Sequence, residues 1–511
     1  MHFSLEHAHR FVSREAPHQS LWDPPLFYPE RNVGAYTDTM LGWTPFYSPW
    51  RWLGASPLGA YQLWMPTVLA LTFVVAFSAM RRLFAASPIA ATAGAYVFAF
   101  AGPRIASFGH PQMVPWLYWA LACFAIGRLV LDPPADTAWD DSTRGRWLAV
   151  LVLALVAQAY GAFYPFFFFG FLAILWGLVA LASPAARRRL RSLWIDEGPA
   201  WTLAAACGAL LLAPLAQRYL LTAEILGTRP IEHVHNLMPR LGSWWTPPPN
   251  SHLYGSLWRS SMVQNAPEWF GTRAFAHGLG VLTTLLAIFG LWAQRRRLMV
   301  RLLVATAVVL IVLTTRWPGG ATLWNLVYET LPGASAVRAV SRFGHCLILP
   351  AALGVMWWLD RPAMRRRPWL AWAVVVLIGI EQSQKIQTWT IAPAAARVEA
   401  IAATIDPSCE AFYLGWQAPV RFFDEDAMWV AMATGVPTIN GRYGNTPRRW
   451  VPLRRQERHP RVGPAESDLR TWLAHHCVDP RGICVVDHRP DGTYHAQRLG
   501  SHEEGHLGCG G

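Results

Sequence analysis

Charged side chains are scarce in this sequence. They make up 15% of its 511 residues, against roughly 25% in typical soluble domains. Hydrophobic residues make up 53%, and they occur in long blocks that short arginine-rich connectors separate. Length alone would suggest three or four soluble domains, but a chain so poor in charge is better interpreted as one polytopic membrane protein.

Lysine is almost absent, since Lys385 is the only one among the 44 basic residues. This bias toward arginine suits a GC-rich bacterial coding sequence. The net charge of +13 fits arginines that fix orientation in a membrane better than it fits recognition of nucleic acid. We therefore expect a lipid bilayer, and no nucleic acid, as a partner.

Several common site motifs are also missing. The seven cysteines form no Cys-x-x-Cys pair, so their spacing predicts neither a metal site nor a disulfide framework. His233-Val-His235 has no spaced third ligand, and we expect no zinc there. A Mg²⁺ or Mn²⁺ ion stays open as a cofactor, because a diphosphate supplies most of the ligands that a hard cation needs. The absence of a Walker loop leaves ATP-driven transport without support.

The apolar blocks predict a mainly α-helical bundle of about ten membrane spans. Several blocks are shorter than the roughly 20 residues that a perpendicular span needs. Residues 159–165 contain a glycine and a proline and predict a tight turn between two antiparallel helices. The predicted spans are residues 59–80, 89–101, 113–131, 147–159, 163–182, 200–215, 275–293, 298–315, 341–359 and 369–380.

Arginines near the span ends predict the orientation, because they stay on the cytoplasmic side. If ten spans alternate, five arginine-bearing connectors fall on one face. Residues 1–58, the loops 218–273 and 316–340 within the bundle of residues 59–381, and the tail 382–511 then lie outside a bacterial inner membrane. An outer N-terminal segment favours an earlier helix, so the complete protein is expected to have eleven spans.

The tail, residues 382–511, differs from the bundle and predicts a small extracytoplasmic α/β domain. Its charged sequence contains no further span. Asp491-Gly492 is a typical hairpin turn. The predicted helices are residues 394–405, 424–434 and 468–475, and the predicted strands are residues 411–414, 483–487 and 493–497.

Titratable side chains gather in the predicted outer segments. A carboxylate there suits general-base chemistry, whereas arginine and histidine suit the neutralisation of a phosphate leaving group. For any one residue an ordinary solvated charge is the commoner explanation, so only the clustering on one face favours function. The candidates are Glu6, Asp38, Arg104, His110, Arg229, Glu232, His233, Arg338 and Arg342.

Three stretches resemble one family. They are Leu26-Phe27-Tyr28-Pro29 followed by Ala35-Tyr36-Thr37-Asp38, then Val97-Phe98-Ala99-Phe100 leading to Arg104 and His110-Pro111-Gln112, then Leu331-Pro332-Gly333 leading to Arg338 and Arg342-Phe343. In order and spacing, residues 6–359 resemble bacterial membrane proteins of the GT-C glycosyltransferase superfamily. Asp426-Ala-Met-Trp429 and Gly435-Val-Pro-Thr-Ile-Asn-Gly441 resemble the outer domain of those proteins.

The resemblance implies transfer of a sugar from a polyprenyl-phosphate donor to a lipid, glycan or protein acceptor on the outer face. It implies that Asp38 is a catalytic base or a metal ligand, and that Glu6 matches an acidic position ahead of a histidine. It assigns Arg104 and His110, and the Arg-x-x-x-Arg element of Arg338 and Arg342, to phosphate binding. Arg229, Glu232 and His233 complete the expected substrate-binding set.

This sequence departs from the family at its start. Residues 1–10 resemble the middle of the first outer loop, and the helix and Gly-Asp pair that usually precede it are missing. Either the start codon has been assigned too late, or the protein is a non-catalytic relative that keeps the fold. A transporter or flippase for lipid-linked glycans is a second alternative to the enzyme. Few charges lie within the spans, whereas ion-coupled transporters usually bury charges near the midplane, which disfavours the transporter.

Overall fold

The computed structural model describes residues 1–15, 20–131, 141–259, 267, 270, 276–388, 390–415, 423–450, 453, 466–489 and 491–500. Parts of the predicted outer loop 218–273 and the end of the tail therefore lie outside the described residues. The chain divides into two compact units. The first contains Met1–Thr44, Leu215–Gly227 and Thr388–Gly511, and the second contains Pro45–Pro214 and Thr228–Gln387.

The second unit is a bundle of α-helices. Its helices are α2 (Thr44–Trp52), α3 (Pro57–Phe84), α4 (Pro88–Phe100), α5 (Gly102–Ile105), α6 (Leu117–Val130), α7 (Asp141–Gly161), α8 (Phe163–Leu181), α9 (Pro184–Leu226), α10 (Ile231–Asn236), α11 (Val281–Ala293), α12 (Leu298–Thr314), α13 (Trp324–Thr330), α14 (Ile348–Leu359), α15 (Pro362–Arg365) and α16 (Pro368–Gln382). The chain passes into the first unit within α9, after Pro214.

Serine–proline pairs start two of the long helices. Ser56 precedes Pro57 and accepts a hydrogen bond from the Gly59 amide, and Ser87 precedes Pro88 in the same way. Serine satisfies an amide at the helix start, and proline is suited to the first helical position because its missing N–H is not needed there. The predicted turn at residues 159–165 is confirmed, since α7 ends at Gly161 and α8 begins at Phe163.

A close helix pair lies at the centre of the bundle. Helix α14 packs against α11 and α4, and α11 approaches α14 closely at Gly290. A Cβ atom on Gly290 would lie 1.7 Å from the carbonyl oxygen of Gly354. Small residues of this kind let helix backbones approach inside a membrane, where van der Waals packing drives association.

Among the residues that the structure describes, five helical segments are long and apolar enough to cross a membrane. The count is six if a bent pair of helices forms one further span. The five are Pro57–Phe84, Pro111–Val130, Phe163–Leu181, Glu197–Leu226 and Val340–Leu359, and the bent pair is Leu298–Thr314 with Pro318–Thr330. The protein is mainly helical and consistent with a multi-pass membrane protein. Each of the ten predicted spans coincides with a helix over most of its length, but the number of crossings stays a prediction.

The first unit combines four helices with one small sheet. Its helices are α1 (His2–Ser13), α17 (Ala392–Ala402), α18 (Phe423–Thr434) and α19 (Glu466–His475). Strands β1 (Ala411–Leu414) and β2 (Ile483–His488) are parallel, and β3 (Tyr494–Arg498) pairs antiparallel with β2. The prediction of a small α/β region in the tail is therefore confirmed, with boundaries within two or three residues.

A disulfide joins Cys409 to Cys484, with their Cα atoms 5.9 Å apart. The cysteine spacing did not predict this bridge. The two cysteines are 75 residues apart in sequence, and only the pairing of β1 with β2 brings them together. Cysteine spacing alone does not reveal such connectivity.

Candidate functional site

Arg104 lies just beyond a break between two helices. Helix α4 ends at Phe100, and Ala101 adopts an extended conformation before α5 begins at Gly102. Pro103 favours this restart, because it has no N–H with which to continue the α4 hydrogen-bond ladder. Gly102 leaves room here for the side chain of Gln384, whose nitrogen would lie 2.6 Å from a Cβ atom at this position and would have to shift.

The guanidinium of Arg104 is fully buried, and none of its three nitrogens has a hydrogen-bond partner among the residues that the structure describes. Its Cζ atom lies 4.5 Å from the ring centre of Trp116 and 5.0 Å from that of Phe98. Burial lowers the pKa of Arg104 to about 9, so the group still carries its charge at neutral pH. The residue is a protonated cation between two aromatic rings.

The two aromatic rings offset only part of the free-energy cost of burying the Arg104 guanidinium. Each cation–π contact contributes about 0.5 to 2 kcal/mol. An uncompensated buried ion costs several kcal/mol, and native proteins pair nearly all such groups with protein, water or ligand. The position therefore suits an anion that is bound while the protein works.

A 3₁₀ helix, Val340–Leu347, places Arg342 and His345 close together. A 3₁₀ helix has three residues per turn, so Arg342 and His345 lie on the same side. Phe343 anchors the opposite side by packing on Phe168, with ring centres 4.1 Å apart. Eight residues is long for this conformation, and such stretches often mark functional segments.

Tyr164, at the start of α8, positions both arginines of the Arg-x-x-x-Arg element. Its hydroxyl oxygen accepts hydrogen bonds from the backbone amides of Arg338 and Ala339, at 3.0 and 3.3 Å. The Cζ atom of Arg342 lies 4.8 Å from the centre of its ring. One side chain therefore fixes the backbone at Arg338 and the guanidinium of Arg342.

His110 and Arg229 belong to the same electrostatic group. Partial burial, reinforced by the positive charges of Arg342 and Arg338, lowers the pKa of His110 to about 4 although its side chain keeps an accessible surface. Burial and the charge of Arg338 lower the pKa of Arg229. His110 is therefore neutral at pH 7 and able to accept or donate one hydrogen bond.

Two histidines that sequence reasoning missed join these residues. The Nε2 atom of His345 lies 3.3 Å from the Ser107 hydroxyl, and its Nδ1 atom is buried without a partner in the described part of the chain. Both ring nitrogens of His277 are likewise buried with no described partner, and its ring lies 6.0 Å from that of His345. The ring of His277 packs on the backbone of Gly344, where a Cβ would lie 2.4 Å from it.

We call these residues of the second unit the basic cluster: Arg104, His110, Arg229, His277, Arg338, Arg342 and His345. Five of the seven were predicted from the sequence. His345 and His277 lie inside the predicted apolar spans 341–359 and 275–293, and an ionisable residue inside a span is itself a signal of function. That signal would have found both.

Glu232 and His233 are less closely connected with the cluster. Both are exposed on α10, and the charges that lower the pKa values of His110 and Arg229 come from Arg338 and Arg342. Helix α10 is attached to α13 by a hydrogen bond between His235 Nε2 and Asn325 Oδ1, at 2.8 Å. The predicted binding roles of Glu232 and His233 stay predictions.

The two predicted catalytic carboxylates belong to the first unit. Asp38 is 9% exposed, in an irregular segment that is held by hydrogen bonds from Tyr219 to the Thr37 carbonyl and from Asn445 to the Tyr36 carbonyl. Close to Asp38, Met40 has a left-handed backbone with φ of 59°. Such strained positions concentrate at functional sites, which keeps Asp38 a candidate.

Glu6 has the surroundings of a structural residue. It is fully buried in α1, and its Oε1 atom accepts a hydrogen bond from the Arg10 guanidinium at 3.2 Å. Arg10 also donates to the carbonyl of Met432 in α18, at 2.6 Å. This pair attaches α1 to α18, and the catalytic role of Glu6 stays a prediction.

Another buried carboxylate, Glu381, caps a helix. Its oxygens accept hydrogen bonds from the backbone amides of Leu282 and Thr283 and from the hydroxyls of Tyr254 and Thr283, at 2.6–2.8 Å. A carboxylate at a helix N-terminus satisfies unpaired amides and complements the helix dipole. Fully occupied in this way, Glu381 is structural.

Within the described part of the chain, no three His, Cys, Asp or Glu side chains gather closely enough to hold a metal ion. No family model and no curated protein matches this chain. The function is therefore argued from the cluster, the fold and the motifs alone.

Proposed function

We propose that this protein is a membrane glycosyltransferase that moves a sugar from a polyprenyl-phosphate donor to a lipid, glycan or protein acceptor on the outer face of a bacterial inner membrane. The GT-C resemblance suggests this reaction. The basic cluster supports it because it supplies what a lipid-linked phosphate needs.

The buried, unpaired guanidinium of Arg104 carries the proposal. A phosphate offers several acceptor oxygens, and arginine binds them with two parallel hydrogen bonds. His345 and His277 place unpaired ring nitrogens in the same region, and Arg342 adds a second positive charge. Preorganised positive groups that stabilise a leaving phosphate are among the largest contributions to catalysis of group transfer.

In the proposed reaction, an acceptor hydroxyl attacks the anomeric carbon of the donor sugar. The bond between that carbon and the phosphate oxygen breaks, and polyprenyl phosphate leaves with the bonding electrons. The arginines neutralise its charge. The resemblance assigns removal of the acceptor proton to Asp38, which suits a carboxylate acting as general base.

The disulfide between Cys409 and Cys484 supports an outer location for the tail. Disulfides persist in oxidising compartments such as the bacterial periplasm and are rare in the cytosol. This observation is independent of the arginine pattern, which predicts the same side.

The test is a transfer assay in proteoliposomes that contain polyprenyl-phosphate-linked radiolabelled hexoses and pentoses, together with a bacterial envelope extract that supplies lipid, glycan and protein acceptors. We expect label to leave the polyprenyl carrier with the wild-type protein, and to remain on it with Arg104→Met and with Asp38→Asn. Arg295→Met is the matched control, because Arg295 also stacks on a tryptophan, with Cζ 4.5 Å from the Trp292 ring, but lies outside the cluster.

Two results would count against the proposal. Movement of intact lipid-linked sugar across the bilayer without transfer would favour the transporter. Full transfer activity in Arg104→Met would remove the basic cluster from the mechanism.

A further inference from the structure

A cavity of about 520 Å³ lies within the helices of the second unit. All five candidate spans contribute to its wall, together with α12. Typical small-molecule sites measure about 300 to 1,000 Å³, so the volume is sufficient for a ligand. None of the residues predicted to bind substrate lines this cavity.

The wall of the cavity is almost wholly apolar. Among the described lining residues only Thr306 has a hydroxyl group. The indole N–H groups of Trp119 and Trp201 donate to the Pro165 carbonyl and the Glu197 carboxylate, at 2.9 and 3.3 Å. Water needs two to four polar partners, so a wall of this kind does not hold a water chain. Representative lining residues are Met80, Phe98, Phe169, Leu310 and Leu353.

The length of the cavity matches one leaflet of a bilayer. Along α6 the lining residues extend from Trp119 to Val130, and eleven residues of helix rise about 17 Å. The hydrocarbon core of a bilayer is about 30 Å thick, so the chains of one leaflet occupy about 15 Å.

We infer that this cavity binds one acyl chain of a membrane phospholipid. Its length matches a single acyl chain, whereas a polyprenyl carrier of many isoprene units is longer than the cavity. A chain that leaves the bilayer for this cavity gains no hydrophobic transfer energy, because the bilayer is equally apolar, so its binding depends on van der Waals packing against the wall. The inference goes beyond the proposed function, because chain binding is measured without sugar transfer.

Two glycines of α8 provide a test variant that fills the cavity and a matched control that does not. Gly177 lines the cavity, and a Cβ atom there meets nothing within 4 Å, so a larger side chain enters the empty space. Gly170, two turns earlier on α8, also has open space but does not line the cavity. Replacing glycine inside a helix with phenylalanine improves helix propensity, so neither variant is expected to impair folding.

The full-length protein is reconstituted into liposomes containing phosphatidylglycerol with a photoreactive group in one acyl chain. After irradiation, peptide mass spectrometry measures labelling at buried lining residues such as Leu310. We expect strong labelling in the wild-type protein and in Gly170→Phe, and at least a fivefold decrease in Gly177→Phe. Excess undecaprenyl phosphate should leave the labelling unchanged.

Equal labelling in Gly177→Phe and wild type would overturn the inference, and so would displacement of the label by undecaprenyl phosphate. Loss of labelling in both glycine variants would also overturn it, because it would show that the cavity does not select the chain. A protein that binds the acyl chain but transfers no sugar would leave this inference standing and refute only the proposed function.

Discussion

Arg104 is the residue on which the account depends most. Its charge is buried, unpaired and flanked by Phe98 and Trp116. Such an arrangement is unfavourable for folding and useful for binding an anion, and proteins commonly sacrifice stability in this way at functional sites.

Because the Arg104 charge destabilises the fold but binds the anion, replacing it should increase stability and decrease function. Methionine fits between the two rings without a charge, so Arg104→Met should stabilise the ligand-free protein by about 1 to 3 kcal/mol. Thermal unfolding in detergent measures this change. A lower unfolding midpoint than wild type would mean that Arg104 stabilises the fold and holds no ligand.

His110 predicts a pH dependence of stability. Its pKa is lowered to about 4, against about 6.5 in an unfolded chain, so between these values the unfolded state binds more protons. Stability contributed by neutral His110 is therefore fully present above about pH 6.5 and is lost as the pH falls toward 4. Unfolding midpoints from pH 7.5 to 4.5 should decrease less steeply in His110→Gln than in wild type. The exposed His252 provides the control, since His252→Gln should keep the wild-type slope.

At the scale of elements, the contact between α11 and α14 predicts sensitivity to a single methyl group. A Cβ on Gly290 would overlap the Gly354 carbonyl oxygen, and overpacking of this kind costs about 1 to 3 kcal/mol or more. Gly290→Ala should therefore lower the unfolding midpoint. Gly177→Ala, with open space around the new atom, should raise it slightly because alanine is the better helix former. Equal midpoints for the two variants would contradict this packing.

The helices and strands were predictable from the sequence wherever a local residue pattern determines the secondary structure. Apolar runs located the helices, and alternation located β1, β2 and β3 within a few residues. The number of crossings was less accessible, because helices such as α4, α11 and α16 are shorter than a full span.

The site was only partly predictable, because its last members depend on tertiary structure. The arginines stood out in the sequence as charges beside apolar runs. His345 joins them because residues 340–347 form a 3₁₀ helix rather than an α-helix, and Tyr164 joins them through hydrogen bonds to a distant loop. A local sequence pattern reveals neither the 3₁₀ conformation of residues 340–347 nor the long-range hydrogen bonds of Tyr164.

At the scale of the whole molecule, the arginine pattern and the Cys409–Cys484 disulfide predict one orientation. An alkaline phosphatase reporter fused after Gly511 should be active, because that enzyme matures only outside the cytoplasm. A green fluorescent reporter at the same position should be dark when exported unfolded. The reverse pattern would overturn both the ten-span count and the outer location of the tail.

The most direct test of the central claim is the affinity of the purified protein for undecaprenyl phosphate, measured for the wild type, Arg104→Met and the control Arg295→Met. Loss of a buried, charge-assisted contact of about 1.5 to 3 kcal/mol corresponds to at least a tenfold weaker affinity. The account predicts that decrease for Arg104→Met and wild-type affinity for Arg295→Met. Equal affinity in all three proteins would contradict the assignment of the basic cluster to the phosphate of a lipid-linked donor.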